Sequence, residues 1–254
     1  MAAPAGDHVA VVIPALDEAG SIGGVLAAIA PEACGLPVEV VVVDDGSSDG
    51  TGEIARAAGA QVVTHATNQG QGAAFRTGYA VARERGARYI VTLDADGQWD
   101  PADVPAVLAP VVAGEADFVL GSRVLGSAET DDNVRDLGVR VFSGLVKVLT
   151  GVRVTDTSSG LRAMRAEITA VVRQEQPQYQ SSELLIGAIA HGYRVTERPT
   201  VMHKRTAGQS KKGGNVFYGA RYARVVLRTW WRERRAARSA AAANPAVAVQ
   251  RLDG

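Results

Sequence analysis

The chain has 254 residues, 46% of them hydrophobic, with equal numbers of acidic and basic side chains. That length suits one α/β domain or two small ones, and the apolar fraction can bury a sizeable core. A single cysteine, Cys34, excludes an internal disulfide framework and fits a reducing compartment. The zero balance hides an asymmetry. Between His203 and Arg235 stand ten lysines and arginines against one acid, Glu233, so the rest of the chain carries about −9. No basic segment precedes the first apolar run, which Pro14 and nearby acids interrupt, so no signal peptide is expected. No uncharged apolar run reaches the roughly 20 residues of a spanning helix.

The elements alternate from the start. "HVAVVIPAL" predicts a first strand, and "SIGGVLAAIAPEA" a helix with Ser21 at its N-cap position. "PVEVVVVDDGSSDG" is a second strand, followed by a helix from Thr51 to Ala58. "AQVVTHA" is a third strand, and "GQGAAFRTGYAVARERG" a helix of more than four turns ending at Gly86. "RYIVTLDAD" gives a fourth strand, "PADVPAVLAPVVAG" a helix with Pro101 near its first turn, and "DFVLGSR" a fifth strand. Near-continuous apolar strands joined by helices predict a mostly parallel sheet covered on both faces. After Arg123 the pattern changes: a polar loop (126–132), an apolar helix (134–150), "DTSSGLRAMR", a helix around 181–191, a strand "YRVTERPTVMH" and a long basic segment.

In an open parallel sheet, ligands sit beyond the carboxyl ends of the strands. Three strands here end in acids: Asp17 and Glu18 after the first, Asp44 and Asp45 on the second, Asp94 and Asp96 on the fourth. Asp94 and Asp96 are one residue apart, and their repulsion is costly unless something positive stands between them. A divalent cation answers that need, since hard carboxylate oxygens suit Mg²⁺ or Mn²⁺. Asp49, in "DDGSSDGT", and Asp100, before Pro101, have a plainer reading as helix caps or turn residues.

Together, "VVIPALDEAGSIGGVL", "VVVDDGSSDGT", "NQGQGAAFRTGY" and "LDADGQWDPADV" resemble the successive motifs of family 2 glycosyltransferases with the GT-A fold. "GSRVLG", "DTSSGLRAMR" and "RTAGQSKKG" extend the likeness to about residue 215. It is closest to the branch that makes polyprenyl-phosphate sugars, the dolichyl-phosphate mannose synthases among them.

The resemblance implies a site. Asp44 falls where the family holds the nucleobase or ribose end, with Pro14, Leu16 and Glu18 lining the same nucleotide pocket. Asp94 and Asp96 match the metal-binding pair that grips the diphosphate of a nucleotide sugar, and Gln98 matches a residue beside the metal. Arg205, Ser210 and Lys211 match a loop that folds over the diphosphate, where a guanidinium fork donates two hydrogen bonds at once. Without the likeness, that loop reads as solvated basic surface. Arg123 and Arg140 fall where the polyprenyl-phosphate branch holds the acceptor phosphate; Arg140 reads equally as a surface arginine on an amphipathic helix. Arg162 has two readings, a ligand contact or part of a turn with Asp156 and Ser159.

The implied chemistry is inverting transfer from a GDP- or UDP-linked sugar. An acceptor phosphate needs no general base, whereas a hydroxyl does. Glu183 is then the candidate base, and a half-exposed helix acid is its alternative. His191 and His203 lie outside any metal-ligand spacing and read as structural or surface residues.

The C-terminal segment "NVFYGARYARVVLRTWWRERRAAR" predicts a helix. Val216, Ala220, Ala223, Leu227 and Trp230 form one stripe, and Arg221, Arg224, Arg228, Arg232 and Arg235 its neighbour. Trp230 and Trp231 beside arginines suit an anionic membrane surface; packing back on the catalytic domain is the alternative. No nucleic-acid-binding module accompanies this basic stretch.

The expectation is thus a GT-A catalytic domain (1–214), a basic amphipathic helix (215–238) and a disordered tail (239–254). It would be a metal-dependent transferase moving a sugar to polyprenyl phosphate, cytoplasmic and peripheral on the inner face of the cell membrane. A family 2 enzyme glycosylating a hydroxyl of a glycan or small molecule is the alternative. A nucleotidyltransferase would want a lysine-bearing, Gly-rich loop after the first strand, where "PALDEAGSIGG" has acids instead. A non-catalytic binding module would not need Asp94, Asp96, Arg205 and Lys211 together.

Overall fold

The computed structural model describes residues 6–129, 133–176, 179–205 and 216–243. The apolar runs become strands. The first is β1 (Val9–Ala15), followed by α1 (Ile22–Ala28), the short β2 (Glu32–Ala33), β3 (Leu36–Asp44), α2 (Thr51–Ala57) and β4 (Gln61–Thr64). Next come α3 (Gln71–Glu84), β5 (Tyr89–Thr92), a 3-10 turn at Pro101–Asp103, α4 (Val104–Val112) and β6 (Phe118–Ala128). The remainder is α5 (Asn133–Thr150), β7 (Arg162–Arg165), α6 (Ile168–Val171), α7 (Gln180–Ala190), β8 (Val195–Met202) and α8 (Val216–Ala243). Strands β1 and β5 are buried along their whole length, and the edge strand β4 is only half-buried.

Across the sheet the order is β4-β3-β1-β5-β7-β6-β8, with β2 pairing antiparallel to the start of β3. Apart from β2, all strands run parallel except β7, which is antiparallel to both β5 and β6. Alternate residues of β1 feed two cores. Ala10 and Val12 join Phe75, Tyr79, Leu184 and Val226 under α3, α7 and α8. Val9, Val11 and Ile13 join Ile22, Ala55, Val107 and Leu108 under α1, α2 and α4. Burying each such aliphatic side chain contributes about 1.5–3 kcal/mol, so the covered sheet is the rigid frame on which the polar edge is built.

Three elements differ from the sequence reading. The first helix stops at Ala28 rather than Ala33, because Ile29 turns extended ahead of Pro31 and the chain folds back through Cys34 and Gly35, both at positive φ. The second half of "DTSSGLRAMR" is the antiparallel strand β7, whose two arginines mask any alternation. The C-terminal helix continues to Ala243, so residues expected in a disordered tail from Ser239 are helical.

Candidate active site

The acidic end of β5 forms because this strand leaves the sheet early. Thr92 is its last paired residue, opposite Arg162, and donates its hydroxyl to the Gly160 carbonyl at 2.8 Å. The chain then carries Asp94 and Asp96 past the strand ends. Gly160 packs so closely behind Asp94 that a Cβ there would run into its carboxylate and the Trp99 indole nitrogen. Gln71, at the start of α3, donates to Asp94 Oδ1 at 3.4 Å. Asp96 accepts the Gln98 amide at 3.0 Å, and the Gln98 side chain reaches the His203 carbonyl at 3.4 Å.

The positive group facing this pair is Arg205. One nitrogen of its guanidinium lies 2.7 Å from Asp96 Oδ2, and another 3.0 Å from Glu18 Oε1. Two backbone contacts bring it there: an isolated bridge between Trp99 and Met202, and a hydrogen bond from the His203 amide to the Gln98 carbonyl. Even so, burial first and the charge of Asp94 second push the Asp96 carboxyl up to about 6, outweighing Arg205 and the Gln98 amide. A carboxylate held that far from its ordinary value has unmet demand for positive charge. With Asp94 beside it, this hard oxygen pair fits a divalent cation whose remaining ligands come from elsewhere. Among the described residues, no group of three or more His, Cys, Asp or Glu side chains forms a metal cage.

The nucleotide side of the edge is ordered by its own polar ends. Asp44 is buried, accepts the Ser47 amide at 3.0 Å and lies against Gly52 of α2, where a Cβ would meet its Oδ2 at 2.5 Å. Pro14 is buried on β1, and Leu16 and Glu18 are half-buried on the loop that follows. Glu18 also accepts from Ser21 Oγ at 2.9 Å. Asp45 turns away, accepting from His65 and from the amides of Gln69 and Gly70, so it shapes the approach to α3. Asp100 caps the 3-10 turn, accepting from the Ala102 amide, whereas Asp49 sits in the turn ahead of α2, whose N-cap is Gly50, and accepts from the amide and hydroxyl of Thr51.

The two arginines assigned to an acceptor phosphate separate in character. Arg123 is buried: its Nε lies 2.8 Å from Asp156 Oδ2 and its Nη2 donates to Asp156 Oδ1 at 2.9 Å, beneath Trp99. That bidentate pair holds the "DTSS" turn, which Glu197 of β8 grips through the amides of Thr155 and Asp156. Arg140 is exposed on α5. Arg162 is fully buried over the Phe75 ring, bound to the Ser159 carbonyl at 2.7 Å and Ser181 Oγ at 2.6 Å. Burial lowers its pKa, opposed by the fields of Tyr79, Asp94 and Asp156. Arg162 thus supports the edge from beneath, and the turn reading is the one its contacts favour.

Glu183 is fully buried rather than half-exposed. One carboxylate oxygen accepts the amides of Glu175 and Gln176 at 2.8 and 2.9 Å; the other takes Arg232 of α8 at 2.9 Å. Both oxygens are committed to the fold, which leaves neither for a substrate proton. Ser210 and Lys211 lie outside the described residues. Gln71, Gly160 and Glu197 were not foreseen from sequence. Gln71 is the one with a signal there, since it opens a helix within the "NQGQGAAFRTGY" motif.

The glycosyl transferase family 2 model matches residues 10–172. Among curated relatives, a dolichyl-phosphate hexose transferase of Haloferax volcanii is 36% identical over 87% of this chain and 95% of its own. The chain belongs to family 2 of the glycosyltransferases. An undecaprenyl-phosphate mannosyltransferase of Micrococcus luteus is 29% identical, covering 76% of this chain and 82% of its own. A polyprenol monophosphomannose synthase of Mycolicibacterium smegmatis is 33% identical, covering 70% and 71%. Among solved structures, glucosyl-3-phosphoglycerate synthase of Mycobacterium tuberculosis, in complex with Mn²⁺, UDP-glucose and phosphoglyceric acid, superposes with a TM-score of 0.66 at 24% identity. That alignment covers 90% of this chain and 80% of that one and establishes the shared GT-A-like fold. This family 2 member is therefore a glycosyltransferase.

Proposed function

We propose that this transferase moves one sugar, with inversion, from a nucleotide diphosphate sugar to a polyprenyl phosphate. The acceptor phosphate oxygen attacks the anomeric carbon, and the bond to the departing nucleoside diphosphate breaks with its electron pair. Asp94 and Asp96, with Gln98 beside them, would hold a magnesium or manganese ion, which when bound neutralises charge growing on that leaving group. Asp44, Pro14, Leu16 and Glu18 would seat the nucleoside. Arg205 would let go of Asp96 and Glu18 and turn its fork to the diphosphate, with Ser210 and Lys211 following it. Arg140, exposed on α5, is the acceptor-phosphate contact in this reading; Arg123 instead stiffens the turn beneath.

The observation that carries the choice of acceptor is the state of Glu183. A phosphate, already ionised near neutral pH, needs no base, and the acid first in line for that task is buried and paired. The names and coverage of the polyprenyl-phosphate relatives support the same choice.

The membrane side follows from what is exposed. Among the described residues no helix is long and apolar enough to cross a bilayer. Val141 and Val148 on α5, Leu227 and Trp231 on α8, and Val124 and Leu125 at the end of β6 all face solvent. Exposed cations accompany them, Arg140 and Lys147 on α5 and Arg224, Arg228, Arg234 and Arg235 on α8. Apolar anchors amid cations suit the headgroup layer of an anionic membrane, peripherally and on its inner face.

The test is to incubate the protein with Mn²⁺ or Mg²⁺, a panel of GDP- and UDP-sugars, and polyprenyl phosphate beside a hydroxyl acceptor. Sugar should appear on the polyprenyl phosphate. Arg140→Ala should cut that transfer at least tenfold and leave donor affinity within about twofold. Transfer to the hydroxyl alone, or equal loss of donor binding and transfer, would overturn the reading.

A further inference from the structure

A cleft of about 150 Å³ opens between α3, α6 and the segment after α6, lined by Arg76, Tyr79, Arg83, Thr169, Val172 and Gln174. Its Arg83 end lies away from the donor edge, while Tyr79 still feels the fields of Arg162 and Asp94. Gln71, which touches Asp94, opens α3, and Arg83 lies twelve residues further on, about 18 Å along the axis.

The lining is arranged for a ligand of one charge. Arg76, Tyr79 and Arg83 recur along one face of the helix, so two guanidiniums border a single cleft. Arg76 makes no hydrogen bond or ion pair among the described residues. Arg83 uses one N–H on Thr169 Oγ1, at 2.6 Å, and has no carboxylate in contact; Glu84, next along the helix, reaches it only through its field. Partial burial lowers the Arg83 pKa, opposed by the field of Glu84.

The cleft also has unmet polar groups. Tyr79 is only 1% exposed, and its buried hydroxyl has no hydrogen-bond partner. Burial pushes its pKa up to about 12, so at neutral pH it carries a proton to donate. Gln174 likewise has a buried amide oxygen without a partner, and an amide can offer its N–H end instead. Leaving buried polar groups unmatched is costly, and a native structure rarely gathers several beside two guanidiniums that touch no carboxylate among the described residues unless something joins them.

We propose that this cleft binds a phosphate-sized oxyanion, either free inorganic phosphate or a small monoester, or the phosphomonoester headgroup of a lipid. Arg76 and Arg83 supply the charge; the Tyr79 hydroxyl and the Gln174 amide supply neutral donors. Binding would clamp α3 to the segment from Val172 to Gln176, whose Glu175 and Gln176 amides hold Glu183.

The experiment is thermal unfolding of the full chain against inorganic phosphate at fixed ionic strength, beside co-sedimentation with phosphatidic acid or phosphatidylserine vesicles of matched surface charge. The α5 and α8 cations attract both vesicles alike, so the response is the difference between them. Wild type should show a saturable rise in Tm with phosphate, a preference for phosphatidic acid, or both. The response should vanish in Arg76→Gln/Arg83→Gln and persist in Asp96→Asn and Arg205→Gln. Arg76→Gln alone, which breaks no contact in the fold, should weaken the apparent affinity at least fivefold. The assay that loses its response in the double variant identifies the source of the anion. No response in either assay overturns the proposal. So does one that survives in the double variant, or one that disappears in Asp96→Asn or Arg205→Gln, which would put the phosphate at the catalytic edge.

Discussion

Replacing Arg232 with methionine tests whether the C-terminal helix is part of the fold or an attached tether. The guanidinium stands among three acids. Its Nη1 is 2.8 Å from Glu175, its Nη2 2.9 Å from Glu183 and its Nε 2.7 Å from Glu233, and it also donates to the Arg173 carbonyl. Glu233 is shared further with His191 at 3.1 Å. Glu183 and Glu233 are 0% and 1% exposed, so losing the cation strands two buried carboxylates. Methionine keeps the apolar stem and removes only the charge. Breaking a buried pair in this way costs about 3–5 kcal/mol; with the Arg232 side chain 20% exposed, the lower end applies. For a chain of this size that is about 6–12 °C in Tm.

Glu183→Gln supplies the control. In Arg232→Met/Glu183→Gln the stranded charge on α7 is gone while an amide oxygen still accepts from the Glu175 and Gln176 amides. The double variant should therefore recover roughly 1–3 kcal/mol relative to the sum of the singles. Chemical denaturation with circular dichroism measures all three. A single-variant loss below about 0.5 kcal/mol, or strictly additive losses, would refute a buried ionic hub. The hub also governs how membrane binding should be tested: deletion after Gly214 removes Arg232 and would destabilise the domain along with any tether.

Other outcomes follow from the same geometry. The Asp96 carboxyl sits at about 6 against an ordinary 3.8, so folding disfavours its ionised form, and stability is lost as pH rises from about 4 to 6. Asp96→Asn should abolish transfer yet melt above wild type at pH 7, with the gap closing by about pH 4; a variant that melts lower at pH 7 contradicts this. Metal affinity, read by calorimetry with Mn²⁺ and nucleoside diphosphate, should fall as pH drops through 6, because protons compete for the same oxygens. Proteolysis near Lys211 should slow when nucleotide sugar and metal are added together, if Arg205 leads that segment onto the diphosphate; equal cleavage with and without them counts against closure. Trp231→Glu with Leu227→Glu should weaken vesicle binding without lowering Tm, and wild-type binding should fade with salt, since each well-placed cation contributes about 1 kcal/mol.

What could be read from sequence was whatever a strand or helix repeats. Buried strands such as Val9–Ala15 announce themselves as apolar runs, and the acids at their ends fall on one edge because the strands are parallel. The antiparallel β7 escaped, because at four residues with arginine at either end it shows no period. Partnership escaped too. "SSELLIGAI" gives no hint that Glu183 meets an arginine 49 positions later, nor "GSRVLG" that Arg123 turns inward to Asp156. Such pairings depend on long-range topology, which local spacing does not encode. The same limit hid the Arg205 contact: repulsion between Asp94 and Asp96 points to a divalent cation, but nothing local shows that a guanidinium from more than a hundred residues away also reaches Asp96, delivered by the pairing of Trp99 with Met202. A guanidinium that satisfies Asp96 and Glu18 without a donor must lose both contacts to engage a diphosphate. If a metal then takes the carboxylates as Arg205 takes the phosphates, opposite charges are matched before and after. Donor binding becomes an exchange of partners, with little net creation of buried charge.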